Sequence, residues 1–117
     1  METTINEKAM KAIESFLERR NYDILDRGWE VEGDSADFVA REDGDLVFVM
    51  TAVREDDGSG FPDDDIDRGA CERLAAAYLA QSEGIGDCSV RFDFVSLLVQ
   101  QGDRAFLRNH RNALSGL

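Results

Sequence analysis

The stretch "LVFVMTAVR", residues 46–54, decides the fold. It is apolar apart from Thr51 and the arginine that ends it. A run of this length without alternation predicts a strand buried on both faces, as in a sheet covered by helices. Just before it stands "EDGD", residues 42–45, whose Asp43-Gly44 pair suits the positive φ angles of a tight hairpin. That turn joins the buried strand to "SADFVARE", residues 35–42. A first strand precedes both, in "YDILDRGWEVEG" at 22–33, with a bend or bulge expected at Gly28.

Downstream, "REDDGSGFPDDD" predicts an acidic, exposed loop over residues 55–65. Pro62 and the aspartates behind it suit the opening of a helix, where proline loses no hydrogen bond and carboxylates meet the positive end of the dipole. Ile66, Ala70, Leu74 and Tyr78 give this helix its apolar face, and Gly84 or Gly86 is expected to close it. "CSVRFDFVSLLV", residues 88–99, is again too apolar for an edge strand. "QQGD" at 100–103 turns the chain, and "RAFLRNH" at 104–110 predicts a last strand.

At the other end, Ile5, Ala9, Ala12, Ile13, Phe16 and Leu17 recur at helical spacing, so a helix is expected from about 5 to 20. Thr4 to Glu7 has the form of a capping box, and Asn21 suits the residue that ends the helix. The order is α-β-β-β-α-β-β, which predicts an α/β fold with helices on both faces of one mixed sheet. At 117 residues, the chain reads as a single domain over 1–117.

Composition narrows the function. Hydrophobic residues make up 43% of the chain, enough for a packed core. The net charge is −12, which repels polyanions unless basic groups are segregated into a patch. Lysine occurs only at positions 8 and 11. No apolar run reaches membrane-spanning length, and residues 1–10 have no apolar signal core. Cys71 and Cys88 are too few for a disulfide framework and read as reduced thiols, so a cytoplasmic setting is expected. Cys71 falls on the apolar side of the second helix, which predicts an inert thiol.

Several chemistries fail on residue type. Two cysteines and one histidine do not make a zinc site. Asp63, Asp65 and Asp67 open like a calcium-binding loop, but its glycine and glutamate positions hold Arg68 and Leu74. No nucleophile-elbow, Walker-type or dinucleotide-binding glycine pattern occurs. What remains is Asp37, a carboxylate in an apolar strand, where burial is costly without a partner or a metal. Period 2 on the neighbouring strand places Phe48, Met50, Ala52 and Arg54 on one face, of which only Arg54 is polar. The one basic stretch is "RAFLRNHRNAL", with Arg104, Arg108, His110 and Arg111. It suits phosphates or an acidic partner, or it balances the domain's own acids.

These pieces resemble the YraN-like family of predicted endonucleases, which has the restriction-endonuclease-like fold of the PD-(D/E)XK superfamily. The resemblance runs from about residue 9 to 114. "DSADFVA" is similar to the family's G-E-I-D-L-I-A, and "LVFVMTAVR" to its strand ending F-V-E-V-K-x-R. "AAAYLA" and "VRFDFVSL" resemble its late helix and R-F-D-V-V strand, and "HRNAL" its closing H-x-x-N-A-F. The resemblance implies a three-layer α/β/α nuclease core. It matches Asp37 to the central metal-binding aspartate and Arg54 to the strand-end arginine. It also puts Ser35 where a glutamate belongs, Met50 where the second metal-binding carboxylate belongs and Ala52 where the lysine belongs. Met10 stands at the helix-one glutamate, and Asp67 or Ala70 at the lysine that opens the second helix. Arg91 and Asp93 match the R-F-D strand and are taken as structural.

One carboxylate does not hold Mg²⁺ firmly. The expectation is therefore an inherited fold with lost catalysis, acting as a binding module with no cofactor. The alternatives are an active Mg²⁺- or Mn²⁺-dependent nuclease with a relocated site, using Glu30, Glu32 or Asp34 beside Asp37 and Arg54 for the lysine, or an acidic protein-interaction domain. The partner stays open between a protein, nucleic acid and a second copy in a homodimer. No membrane is expected.

Overall fold

The computed structural model describes residues 5–82, 84–86, 88–101 and 104–114, without the side chains of Ile5 and Asn6. The capping box at Thr4 and the Gly102-Asp103 part of the predicted turn lie outside the described residues. The elements follow the predicted order: α1 (Ile5–Arg19), β1 (Asp23–Val31), β2 (Asp34–Glu42), β3 (Asp45–Glu55), α2 (Arg68–Gln81), β4 (Val90–Val99) and β5 (Ala105–His110). The five strands form one sheet in the order β1-β2-β3-β4-β5. Only β3 and β4 run parallel, as expected for the two strands that α2 separates in the chain.

The helices lie on opposite faces, giving three layers. On the α1 side, Ala9, Ile13 and Leu17 pack on Phe38, Val47, Val49, Val95 and Leu97. On the α2 side, Leu74 and Tyr78 pack on Ala36, Val39, Leu46 and Phe48. In β3 the residues alternate between the two clusters, so Leu46–Val49 are all buried and the apolar run needs no polar face.

Local signals hold where backbone geometry decides. Asn21 has φ 69°, and the N–H groups of Asn21 and Tyr22 reach the carbonyls of Glu18 and Leu17 at 3.1 and 3.0 Å. That is a Schellman cap, and it drops Tyr22 into the core below α1. Asp43 and Gly44 both take positive φ in the β2–β3 hairpin. Glu32 and Gly33 do the same between β1 and β2, a turn the sequence reading merged into the first strand.

Gly28 takes φ 60°, outside the extended region, which fits the bend expected there, while a register shift falls between Ile24 and Asp26. Three expectations need correction. Helix α2 starts at Arg68 rather than at Pro62. Its cap is Asp67, whose carboxylate accepts from the N–H groups of Gly69 and Ala70 at 2.8 and 3.3 Å. Of the earlier aspartates, Asp64 turns instead to Arg108 and His110 of β5. The helix ends at Ser82 in an extended conformation, leaving Gly84 and Gly86 in the following loop. The 55–65 loop is only partly exposed: Pro62 is buried, Asp64 is half-buried, and Glu55 belongs to β3.

Candidate functional site around Asp37

Asp37 sits where β2 and β3 part. The last register pair between them is Phe38–Val49. Beyond it, Thr51 donates its backbone N–H and its hydroxyl to Asp37 Oδ2, at 2.8 and 2.9 Å. The carboxylate thus takes the place of a strand carbonyl. Asp37 and Phe38 also line a cleft of about 200 Å³ against α1, with Met10, Lys11 and Glu14 on one wall and Arg27 on the other. The Met10 thioether lies 3.6 Å from the Thr51 hydroxyl.

This placement separates the residues that sequence alignment groups with Asp37. Met50 packs into the α2-side cluster with Phe48. Ala52 and Arg54 follow it on that face by alternation, and Arg54 donates to the Gly60 carbonyl at 3.5 Å. The β3 side chain that meets Asp37 is Thr51, on the other face. Thr51 was missed, although a lone hydroxyl inside "VMTAV" was a signal for it.

The acids named as replacements are engaged or distant. Asp34 is held by Arg73 of α2 in a two-point pair at 2.8 and 3.1 Å, which keeps its carboxyl below the usual range. Glu30 is exposed on β1, Glu32 is exposed in the turn, and Ser35 is exposed on β2. Glu14 shares the cleft with Asp37 but is forked by Arg27 at 2.6 and 3.0 Å, and that hydrogen-bonded pair lowers its pKa. Mg²⁺ and Mn²⁺ prefer several hard oxygen donors. Here Met50 offers a soft thioether on the wrong face, Ala52 offers nothing, and one oxygen of Asp37 already takes two donors. The residues present do not fit such an ion. Among the described residues, no group of three or more His, Cys, Asp or Glu converges on a point that would hold a metal.

The basic stretch folds back onto the domain's own acids. Arg108 reaches the Pro62 carbonyl at 3.0 Å and Asp64 at 3.2 Å, and His110 Nδ1 meets the other Asp64 oxygen. Arg111 pairs with Glu42 at 2.5 Å. Arg104 is exposed just before β5.

The most heavily bonded polar group lies elsewhere on the α1 side. Arg91 pairs with Glu42, Asp45 and Asp93 at 2.7 to 3.0 Å, and Asp93 is fully buried. Tyr22 donates to Asp93 at 2.6 Å, and the N–H of Asn112 reaches it at 2.9 Å. Burial first, then the bond to Asp93, pushes the Tyr22 hydroxyl above its ordinary pKa. The pairs with Asp93 and Glu42 outweigh burial and raise Arg91. This network joins β4 to α1's cap, the hairpin and the C-terminal turn. It is why an R-x-D pattern survives inside an apolar strand.

The order, the R-F-D strand and the aspartate at the strand fork converge on one relationship, and comparison with known proteins decides it: the profile of the uncharacterised protein family UPF0102, the YraN-like group, matches residues 10–97. The chain belongs to that family. A UPF0102 protein of Roseiflexus castenholzii is 37% identical over 87 residues, covering 72% of this chain and 70% of that protein. UPF0102 proteins of Geobacter sulfurreducens and an Anaeromyxobacter species are each 31% identical, over 101 and 112 residues. They cover 85% and 93% of this chain, and 79% and 83% of their own lengths. None of these UPF0102 names carries an activity.

Proposed function

We propose that this UPF0102 chain retains a nuclease-like scaffold as a non-catalytic binding module and has lost metal-dependent phosphodiester cleavage. The observation that carries this reading is the use of Asp37. Its carboxylate closes the β2–β3 fork by accepting from Thr51, while Met50 fills the apolar layer under α2. The closure takes up one oxygen of Asp37, and Met50 supplies no hard donor for a metal. A link to nucleic-acid processing rests on the resemblance alone. Two free cysteines, one buried, support a cytoplasmic setting. The test is nicking of supercoiled plasmid with Mg²⁺ and Mn²⁺. We expect wild type to match its Asp37→Asn variant at background. Cleavage that disappears in Asp37→Asn defeats the proposal.

A second reading has one observation in its favour. Asp37 shares its cleft with Glu14 and with Lys11, one of the chain's two lysines. An active nuclease with a relocated site would use this trio after Glu14 leaves Arg27. Activity lost in both Glu14→Gln and Lys11→Met would select this reading.

A further inference from the structure

The segment from Asp56 to Asp67 is a strap across the α2-side face of the sheet. At its start, Asp56 donates its N–H to Val99 and accepts from the Gln100 side chain, at 2.8 and 2.9 Å. It is then bonded to β3 through Arg54 and Gly60, and to β5 through Arg108 and His110. Between those strands it passes over β4. There Ser96 stands in register with Ala52 on one side and Arg108 on the other. Ser96 is fully buried, and among the described residues its hydroxyl has no hydrogen-bond partner.

A buried hydroxyl without a partner costs stability, and native proteins rarely keep one. Here it lies on the face where Arg108 and His110 share one carboxylate, and where Arg54 is held only by the Gly60 carbonyl. Asp64 bridges Arg108 and His110, with one oxygen to each. The ring of Phe61 lies under the Arg108 guanidinium, 5.0 Å away. A tetrahedral oxyanion would ask for the same groups: a guanidinium, an imidazole and a hydroxyl donor. The tie is also weak. The Arg108 and His110 side chains are 46% and 51% exposed, and ion pairs in that setting contribute little.

We propose that Arg54, Ser96, Arg108 and His110 form a phosphate-binding site that the strap covers, with the Asp64 carboxylate standing in for the phosphate. A phosphate group displaces Asp64 and lifts the strap at Gly58 and Gly60, both at positive φ. Ser96 then donates to the bound anion. The strap's freed acids move away, so repulsion within the −12 chain favours the open form once an anion is bound. This deepens the binding-module reading by naming a surface, and it stands on the face opposite Asp37. Cleavage assays and this binding test therefore fail independently.

The test is a titration of full-length protein with inorganic phosphate and with a fluorescein-labelled decathymidylate, followed by amide shifts and anisotropy. In wild type, phosphate is expected to shift Ser96 and His110 and the strap amides. Asp64→Asn removes the competing charge and is expected to tighten phosphate binding about tenfold, with Arg108→Gln added to the same protein cancelling that gain. Response to the free ion alone supports a small phosphate ligand; response to the oligonucleotide as well supports a nucleic-acid backbone. Shifts confined to other surfaces in wild type, or equal affinity in wild type and a folded Asp64→Asn, overturn the proposal. Wild-type shifts keep it refutable if the variant does not fold.

Discussion

Replacing Arg91 with methionine tests whether the buried network holds the domain together. The Arg91 side chain is 8% exposed and pairs with three acids, of which Asp93 has 0% exposure. Methionine fills much of the space but leaves the Asp93 charge without its cation. Breaking one partner out of a buried pair costs about 3–5 kcal/mol. Tyr22 and the Asn112 N–H remain as donors to Asp93, which holds the expected loss to about 4 kcal/mol. An unfolding entropy of about 2.1 cal/mol/K per residue gives about 0.25 kcal/mol/K for this chain, so Tm should fall by about 16 °C. Urea titration and calorimetry read both quantities. The double variant Arg91→Met with Asp93→Asn removes the orphaned charge and should recover about 2 kcal/mol relative to Arg91→Met alone. A single-variant loss under about 1 kcal/mol, or strictly additive losses in the pair, would refute the reasoning.

Other outcomes follow from the same structure. Tyr22 and Tyr78 both have raised pKa values, Tyr78 to about 12 through burial and its bond to Asp26. A raised tyrosine favours the protonated folded state, so this stability is complete below the unfolded value near 10 and is lost as pH climbs toward 12. Urea midpoints should decline from pH 10 upward, and Tyr78→Phe should flatten part of that decline. Burial pushes the Cys71 thiol up to about 11, so iodoacetamide at pH 8 should label Cys88 and spare Cys71 until denaturant is added, read by peptide mass. Asn21→Ala places alanine at φ 69° and should lower stability by about 1 kcal/mol in urea melts, whereas Asn21→Gly should not.

Most of the fold was legible in the sequence because local chemistry specifies it. The near-continuous apolar run at 46–53 required cover on both faces, Asp43-Gly44 required a hairpin, and Asn21 suited a left-handed cap. The second helix was misplaced at its start because several aspartates can cap equally well in isolation. Asp67 is the one that does so, while Asp64 turns to β5, an engagement that joins residues far apart in the chain. The candidate site was legible in residue identity but not in arrangement. Sequence placed Asp37 and flagged Met50 and Ala52, yet which face of β3 meets Asp37 depends on where β2 and β3 separate.

The sequence by itself determined the layers, the element order and the family, because periodicity and turn chemistry act over a few residues. Tertiary structure decided the electrostatics. It gave the basic stretch its acids, set Thr51 against Asp37 and buried Ser96 beneath the strap. Charges pair through space, and the energy of each pair depends on burial and distance that no local pattern encodes.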